Sequence, residues 1–291
     1  MSHLPRALLA IPSLLLLFAL PAQAWPTETM TAIGRDARRL LPGSLNRLLG
    51  ARELELQQEA ARLPPELAQA LARDLAAGGV LQPDTLALVD GEIDEVVRLL
   101  RGGRVSEGLV RLGALLRVVA DLSDPVLAAG AEGWPAGVTR EYYALFAANL
   151  AKMPVVVDDP RTLELARPEL GALLQSIAQR SRAQAPTIRA ELVRGGRVVS
   201  HRALDYRSPA WAVASLSYSR AVTGTAATWL AIWRAARGDT TQRGRAHVVA
   251  PKPAAPQPGA GIPTPVDGTA VGGLDEPRPV IERRSLKPEA P

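Results

Sequence analysis

LGALLRVVADLSDPVL, residues 112–127, is helical text in which apolar residues fill most positions. With Ser106 opening the segment, Leu109, Leu112, Leu116 and Val119 recur at the spacing of one helical face, and most residues between them are apolar as well. A helix that is apolar all round belongs at the centre of a helical protein. Pro125 is expected to end or kink it, because proline lacks the N–H that the preceding turn needs and its ring collides with that turn. The chain should therefore be all-α, built around this segment.

Composition agrees with that reading. Apolar residues make up 47% of the chain and aromatic residues only 4%, and the apolar share is mostly Ala and Leu. Both head the helix scale and let helices approach closely, whereas the β-branched runs that favour strands are scarce. Outward from the central segment, Thr27 to Leu41 reads as an amphipathic helix with Met30, Ile33, Ala37 and Leu40 on one side, stopped by Pro42-Gly43. Ser44 is expected to cap a second helix running toward Leu63. Pro64-Pro65 starts another with Leu67, Leu71 and Leu75 as its buried stripe, ending at Gly78-Gly79. Asp84 is expected to cap the next, which runs through Leu100 to Gly102-Gly103. Beyond the Gly/Pro-containing stretch Ala128 to Gly137 come a helix from Thr139 to Lys152, a short extended piece at Val155 to Val157, two further helices between Pro160 and Val193, and a last long helix from near Ser208 to Gly238.

Both ends differ from this middle. Arg6 precedes an apolar run from Ala7 to Leu20, and Pro21-Ala22-Gln23-Ala24 has the small-residue pattern of a cleavage site. Residues 1–24 therefore read as a signal peptide, with export to the periplasm or the extracellular space and Trp25 as the mature amino terminus. The run is shorter than the roughly 20 residues a membrane span needs, so no transmembrane segment is expected after cleavage. The chain has no Cys, so an oxidising compartment poses no thiol problem. From Asp239 the apolar periodicity stops and Pro and Gly crowd together with near-balanced charges, which predicts a disordered tail over residues 239–291. The predicted division is a signal peptide (1–24), a single multi-helix domain (25–238) and that tail. Roughly 265 residues after cleavage are enough to bury a core without disulfides.

The formal charge of +5 is modest for 291 residues, and basic residues alternate with acidic ones at helical spacing. No specific nucleic-acid motif stands out. The clearest basic stretch, Gln179 to Arg197, holds Arg180, Arg182, Arg189, Arg194 and Arg197 and reads either as a solvated helix pair or as an anion-binding surface. There is no nucleophile elbow, no phosphate-binding glycine loop, no paired-histidine protease motif and no Cys nucleophile. His201 near Asp205, with Ser200 or Ser208, is the one arrangement that suggests a nucleophile.

In three places the chain resembles the zinc-dependent phospholipase C and single-strand nuclease superfamily. Leu112-Gly113 to Leu127 follows that family's Leu-Gly-x3-His-x3-Asp-x3-Pro-x-His spacing. Processing would leave Trp25 at the amino terminus, where the family uses a Trp to bind zinc through its α-amine and carbonyl. Asp205-Tyr206-Arg207-Ser208, leading into an Ala-rich helix with Trp211, Trp229 and Trp233, looks like the last helix of bacterial members. The resemblance spans most of Trp25 to Gly238 and implies a phospholipase C-like helical fold.

The departures concern the metal ligands. A zinc cluster needs several imidazoles and carboxylates converging on the ions, and this chain has three His, at 3, 201 and 247. Set against the family, Met30 stands where the first-helix His would be, Arg117 and Leu127 replace the two His of the central motif, and Arg140 replaces the His of the following helix. Trp25, Asp121 and Asp84 are the retained candidates for a metal. Arg117 and Asp121, four apart on one helix, suggest a buried ion pair in place of the metal, with an exposed i,i+4 pair as the plain alternative. The sequence thus points to a pseudoenzyme without catalytic residues or cofactor, binding an anionic or lipid-like ligand or a protein partner. The alternative is a residual zinc-dependent phosphodiesterase or phospholipase C using Trp25, Asp84 and Asp121. An envelope structural component is a third reading.

Overall fold

In the computed structural model the segment 112–127 lies at the centre, as its composition demands. The structure describes residues 25–130 and 134–240; the predicted signal peptide and nearly all of the predicted tail lie outside the described residues. Ten α-helices follow one another among these: α1 (Thr27–Arg38), α2 (Gly43–Gly50), α3 (Glu53–Ala60), α4 (Pro65–Ala76), α5 (Pro83–Arg101), α6 (Val105–Leu122), α7 (Pro125–Ala128), α8 (Val138–Asn149), α9 (Leu170–Leu192) and α10 (Pro209–Ala235). Short 3-10 turns connect α8 to α9 and precede α10. The class is all-α, and the helices share one continuous apolar core. None is long and apolar enough to cross a membrane.

Helix α6 packs against α1, α2, α3, α5, α7, α9 and α10. Leu112, Ala114, Leu115, Leu116, Val118, Val119, Ala120 and Leu122 are all buried. At roughly 1.5–3 kcal/mol for each large aliphatic side chain removed from water, this helix is a major contributor to the hydrophobic stabilisation. Two buried indoles pin it through backbone carbonyls that carry a spare lone pair. The Trp229 Nε1–H donates to the Leu112 carbonyl at 3.0 Å and the Trp25 Nε1–H to the Ala120 carbonyl at 2.7 Å.

Gly113 permits the closest approach in the core. A Cβ built there would lie 2.1 Å from the Leu56 carbonyl oxygen and 3.0 Å from the Ala60 amide nitrogen. The backbone of α3 therefore crosses α6 at a distance that only glycine allows.

Several local expectations change. The helix expected from Ser44 to Leu63 is two, α2 and α3, broken at Ala51-Arg52, and no side chain caps α2. The break turns α3 onto Gly113, where tertiary packing outweighs an uninterrupted helix. Pro125 does not terminate α6, which has already ended at Leu122; it is the first residue of α7, capped by Asp124. Asp84 does not cap α5. It lies in the first turn, behind Gln82 at the cap position, and its carboxylate meets Arg73 of α4. Val155 to Val157 form no strand, and the two helices expected before Val193 are a single helix, α9, which accommodates Pro186 in its interior. Immediately after α9, Val193-Arg194 pairs antiparallel with Arg197-Val198. The turn is Gly195-Gly196, both at positive φ (57° and 74°), the geometry of a tight two-residue hairpin.

Candidate functional site

The residues singled out from sequence separate into a buried cluster and two surface positions. Arg117 and Asp121 are one turn apart on the inner side of α6, and the Arg117 Nε lies 2.7 Å from both carboxylate oxygens of Asp121. Their side chains are 13% and 7% exposed, which places the pair inside the core boundary rather than on a solvated face. Trp25 packs beside them, almost wholly buried. Its ring meets Phe146 edge-on at a centroid distance of 4.5 Å and lies 6.0 Å from the ring of Tyr143 and 6.4 Å from that of Tyr142. Helix α8 thus closes the cluster with aromatic residues.

Asp124, which the sequence reading passed over, is the second carboxylate of this cluster. It is fully buried. Its Oδ1 accepts the amides of Val126 and Leu127, starting α7, and its Oδ2 accepts the Tyr143 hydroxyl at 2.6 Å. The available signal was Asp-Pro before an apolar segment, an N-cap followed by proline at the first helical position. The Tyr142 hydroxyl is buried as well. It lies beside the Ser217 hydroxyl without a hydrogen bond of good geometry.

Burial dominates the electrostatics. Loss of water pushes the Asp121 carboxyl up to about 6, against the charge and hydrogen bond of Arg117. The same effect pushes Asp124 up to about 7, opposed by the Tyr143 hydroxyl and the two α7 amides and reinforced by the charge of Asp121. Burial also raises both tyrosine hydroxyls well above their ordinary range. Two carboxyls thus share a low-dielectric region with one guanidinium.

The remaining positions do not assemble into a metal centre. Met30 is buried and borders Leu116 and Trp229. Leu127 is half-buried on α7. Asp84 is exposed on α5, paired with Arg73 at 2.9 Å, with its carboxyl held below the usual range chiefly by that hydrogen bond. Arg140 points to solvent on α8, 3.3 Å from Glu141. The inward positions of α8 include Tyr142, Tyr143 and Phe146, and Arg140 is on its solvent side. Among the described residues no group of three or more His, Asp or Glu converges to hold a metal. Both oxygens of Asp121 are engaged by Arg117, so among the described residues this carboxylate offers zinc no free oxygen.

The His201 arrangement also dissolves. The His201 Nδ1 lies 2.8 Å from Glu141 Oε2, and that same oxygen accepts the His201 amide. This amide, followed by the imidazole, holds the Glu141 carboxyl down at about 2. Ser200 accepts the Arg202 amide, Asp205 accepts the Arg207 amide, and Ser208 caps α10 by accepting the Trp211 amide. Each group has a local structural task. No protein-family model, curated protein or solved structure matches this chain.

Proposed function

We propose that the chain is an exported, non-catalytic helical protein on a scaffold like that of the zinc-dependent phospholipase C and single-strand nuclease superfamily, acting by binding rather than by hydrolysis. The observation that carries this reading is the Arg117–Asp121 pair. A guanidinium occupies the position of the first motif His, and its Nε lies 2.7 Å from both oxygens of the carboxylate that would face a metal. Trp25 supports it by lying against the same turn of α6, through Ala120. In this reading a permanent organic cation supplies the positive charge that a metal would otherwise supply, and it provides neither an open coordination position nor an acidified water.

Metal content and turnover test the proposal together. A chain beginning at Trp25, equilibrated with zinc and freed of loosely held ions, is expected to retain no stoichiometric zinc by elemental mass spectrometry. It should not hydrolyse an activated phosphodiester with or without added zinc. Two or more tightly held zinc ions per chain, or zinc-dependent turnover, would overturn it.

A further inference from the structure

A second polar region lies away from the Arg117–Asp121 cluster, under the segment that joins α8 to α9. That segment crosses α10 and is tied to it at two points. The Ser219 hydroxyl donates to the Pro154 carbonyl and accepts the Val156 amide, at 3.0 and 3.1 Å. Farther along, the Arg234 guanidinium donates to the Leu165 carbonyl at 3.3 Å. Between these ties the segment, α9 and α10 border a partly open cavity of about 110 Å³. That is well above the roughly 10–15 Å³ needed to admit one water-sized group.

Its walls carry both signs, Arg180 and Arg220 together with Asp158 and Asp159. Arg220 of α10 reaches in; its Nη1 donates to Gln184 Oε1 at 2.8 Å, while its Nε is buried and has no partner. Among the described residues no carboxylate lies within ion-pairing distance of Arg220. Arg180 of α9 lines the same cavity and, among the described residues, has no ion-pair or hydrogen-bond partner. The Ser176 and Thr162 hydroxyls are also in the wall and, among the described residues, make no side-chain hydrogen bond. Asp159 is occupied by the Arg161 amide. Asp158 acts on Arg220 only through its charge, and Arg180 opposes it with like charge. Burial pushes the Arg220 guanidinium below its ordinary range. Asp158 thus offsets part of the desolvation of Arg220 by charge but accepts no hydrogen bond from it, and the buried Nε–H still lacks the acceptor that a bound anion would supply.

We propose that this cavity binds a phosphate group, either as free phosphate or as the terminal group of a small monoester, between the guanidiniums of Arg180 and Arg220. A tetrahedral oxyanion offers enough acceptors to meet two guanidinium edges and two hydroxyl donors at once. Asp158 at the wall weakens binding by repulsion and sets its affinity. This site is separate from the Arg117–Asp121 cluster and does not depend on whether the chain is catalytic.

Isothermal titration of the intact processed chain at low salt, with inorganic phosphate and separately with methyl phosphate, tests it. One saturable site is expected. Arg180→Gln should weaken binding by about tenfold or more, and Asp158→Asn should strengthen it severalfold. Both positions are exposed, so circular dichroism and melting should match the parent. Equal affinity for the two ligands identifies a terminal phosphate as the group recognised, and a preference for inorganic phosphate identifies the free ion. Absence of saturable heat into the millimolar range, or an affinity that neither substitution changes, would overturn the proposal. Zinc content plays no part in this readout, so it fails or stands independently of the proposed function.

Discussion

Arg117 and Asp121 are the residues on which most depends, because each leaves a buried charge if the other is removed. Arg117→Ala should cost about 3–5 kcal/mol, read as a shift of the urea midpoint at constant slope, whereas an exposed pair would cost less than about 1 kcal/mol. Replacing both residues by apolar side chains of similar volume should restore much of that loss. Asp121 and Asp124 also govern the pH dependence. Their folded-state values, about 6 and about 7, lie above the ordinary 3.8, so between pH 4 and 7 the native state holds protons that the unfolded state has released. Their contribution is therefore fully present below about pH 4 and is lost as pH rises through 6 and then 7. Denaturant midpoints should fall between pH 5 and pH 8, by an amount corresponding to roughly 2–4 kcal/mol. Asp124→Asn reproduces the hydrogen-bond pattern of the protonated carboxyl and keeps the α7 cap, so it should flatten the upper part of that slope. A midpoint that rises over the same interval would refute the assignment.

At the scale of elements, the crossing of α3 over α6 is the least forgiving contact. Gly113→Ala places a Cβ 2.1 Å from the Leu56 carbonyl, and neither backbone can yield without moving its helix. A loss towards the upper end of about 1–3 kcal/mol is expected, because the obstacle is backbone. Gly91, inside α5, is the matched control, since a Cβ there meets nothing within 4 Å. Gly91→Ala should instead stabilise by up to about 1 kcal/mol through helix propensity alone. Thermal melts of the two variants, moving in opposite directions, would separate close packing from propensity.

Across the whole molecule, the described helices close on themselves between Trp25 and Thr240. The Asp239 carbonyl accepts hydrogen bonds from Ser44 at the start of α2 and from Trp233 of α10, and Arg101 at the end of α5 donates to the Ala235 carbonyl. A chain cut after Thr240 should therefore melt within a few degrees of the full-length protein. A large drop would show that residues beyond 240 contribute to the fold.

Periodicity and composition alone determined the helical class, the central place of α6 and the start and end of α4 and α10. Those features follow from local physics: the spacing of apolar residues, proline at the first turn and glycine after the last. The hairpin after α9 was legible too, as Val-Arg-Gly-Gly-Arg-Val, but its charges drew it into the basic stretch. At the candidate site the spacing suggested the Arg117–Asp121 pair, because i,i+4 positions on one helix need little tertiary information, whereas the seat of Trp25 against α6, 95 residues away at Ala120, was decided by the tertiary structure. Asp84, Arg140 and Asp124 were decided by the tertiary structure. Whether a side chain on an amphipathic helix faces core or solvent depends on which neighbour covers it, and α8 turns Tyr143 inward and Arg140 outward. The break between α2 and α3 has the same origin: Gly113, sixty residues away in sequence, supplies the space that makes a broken helix more stable than a continuous one.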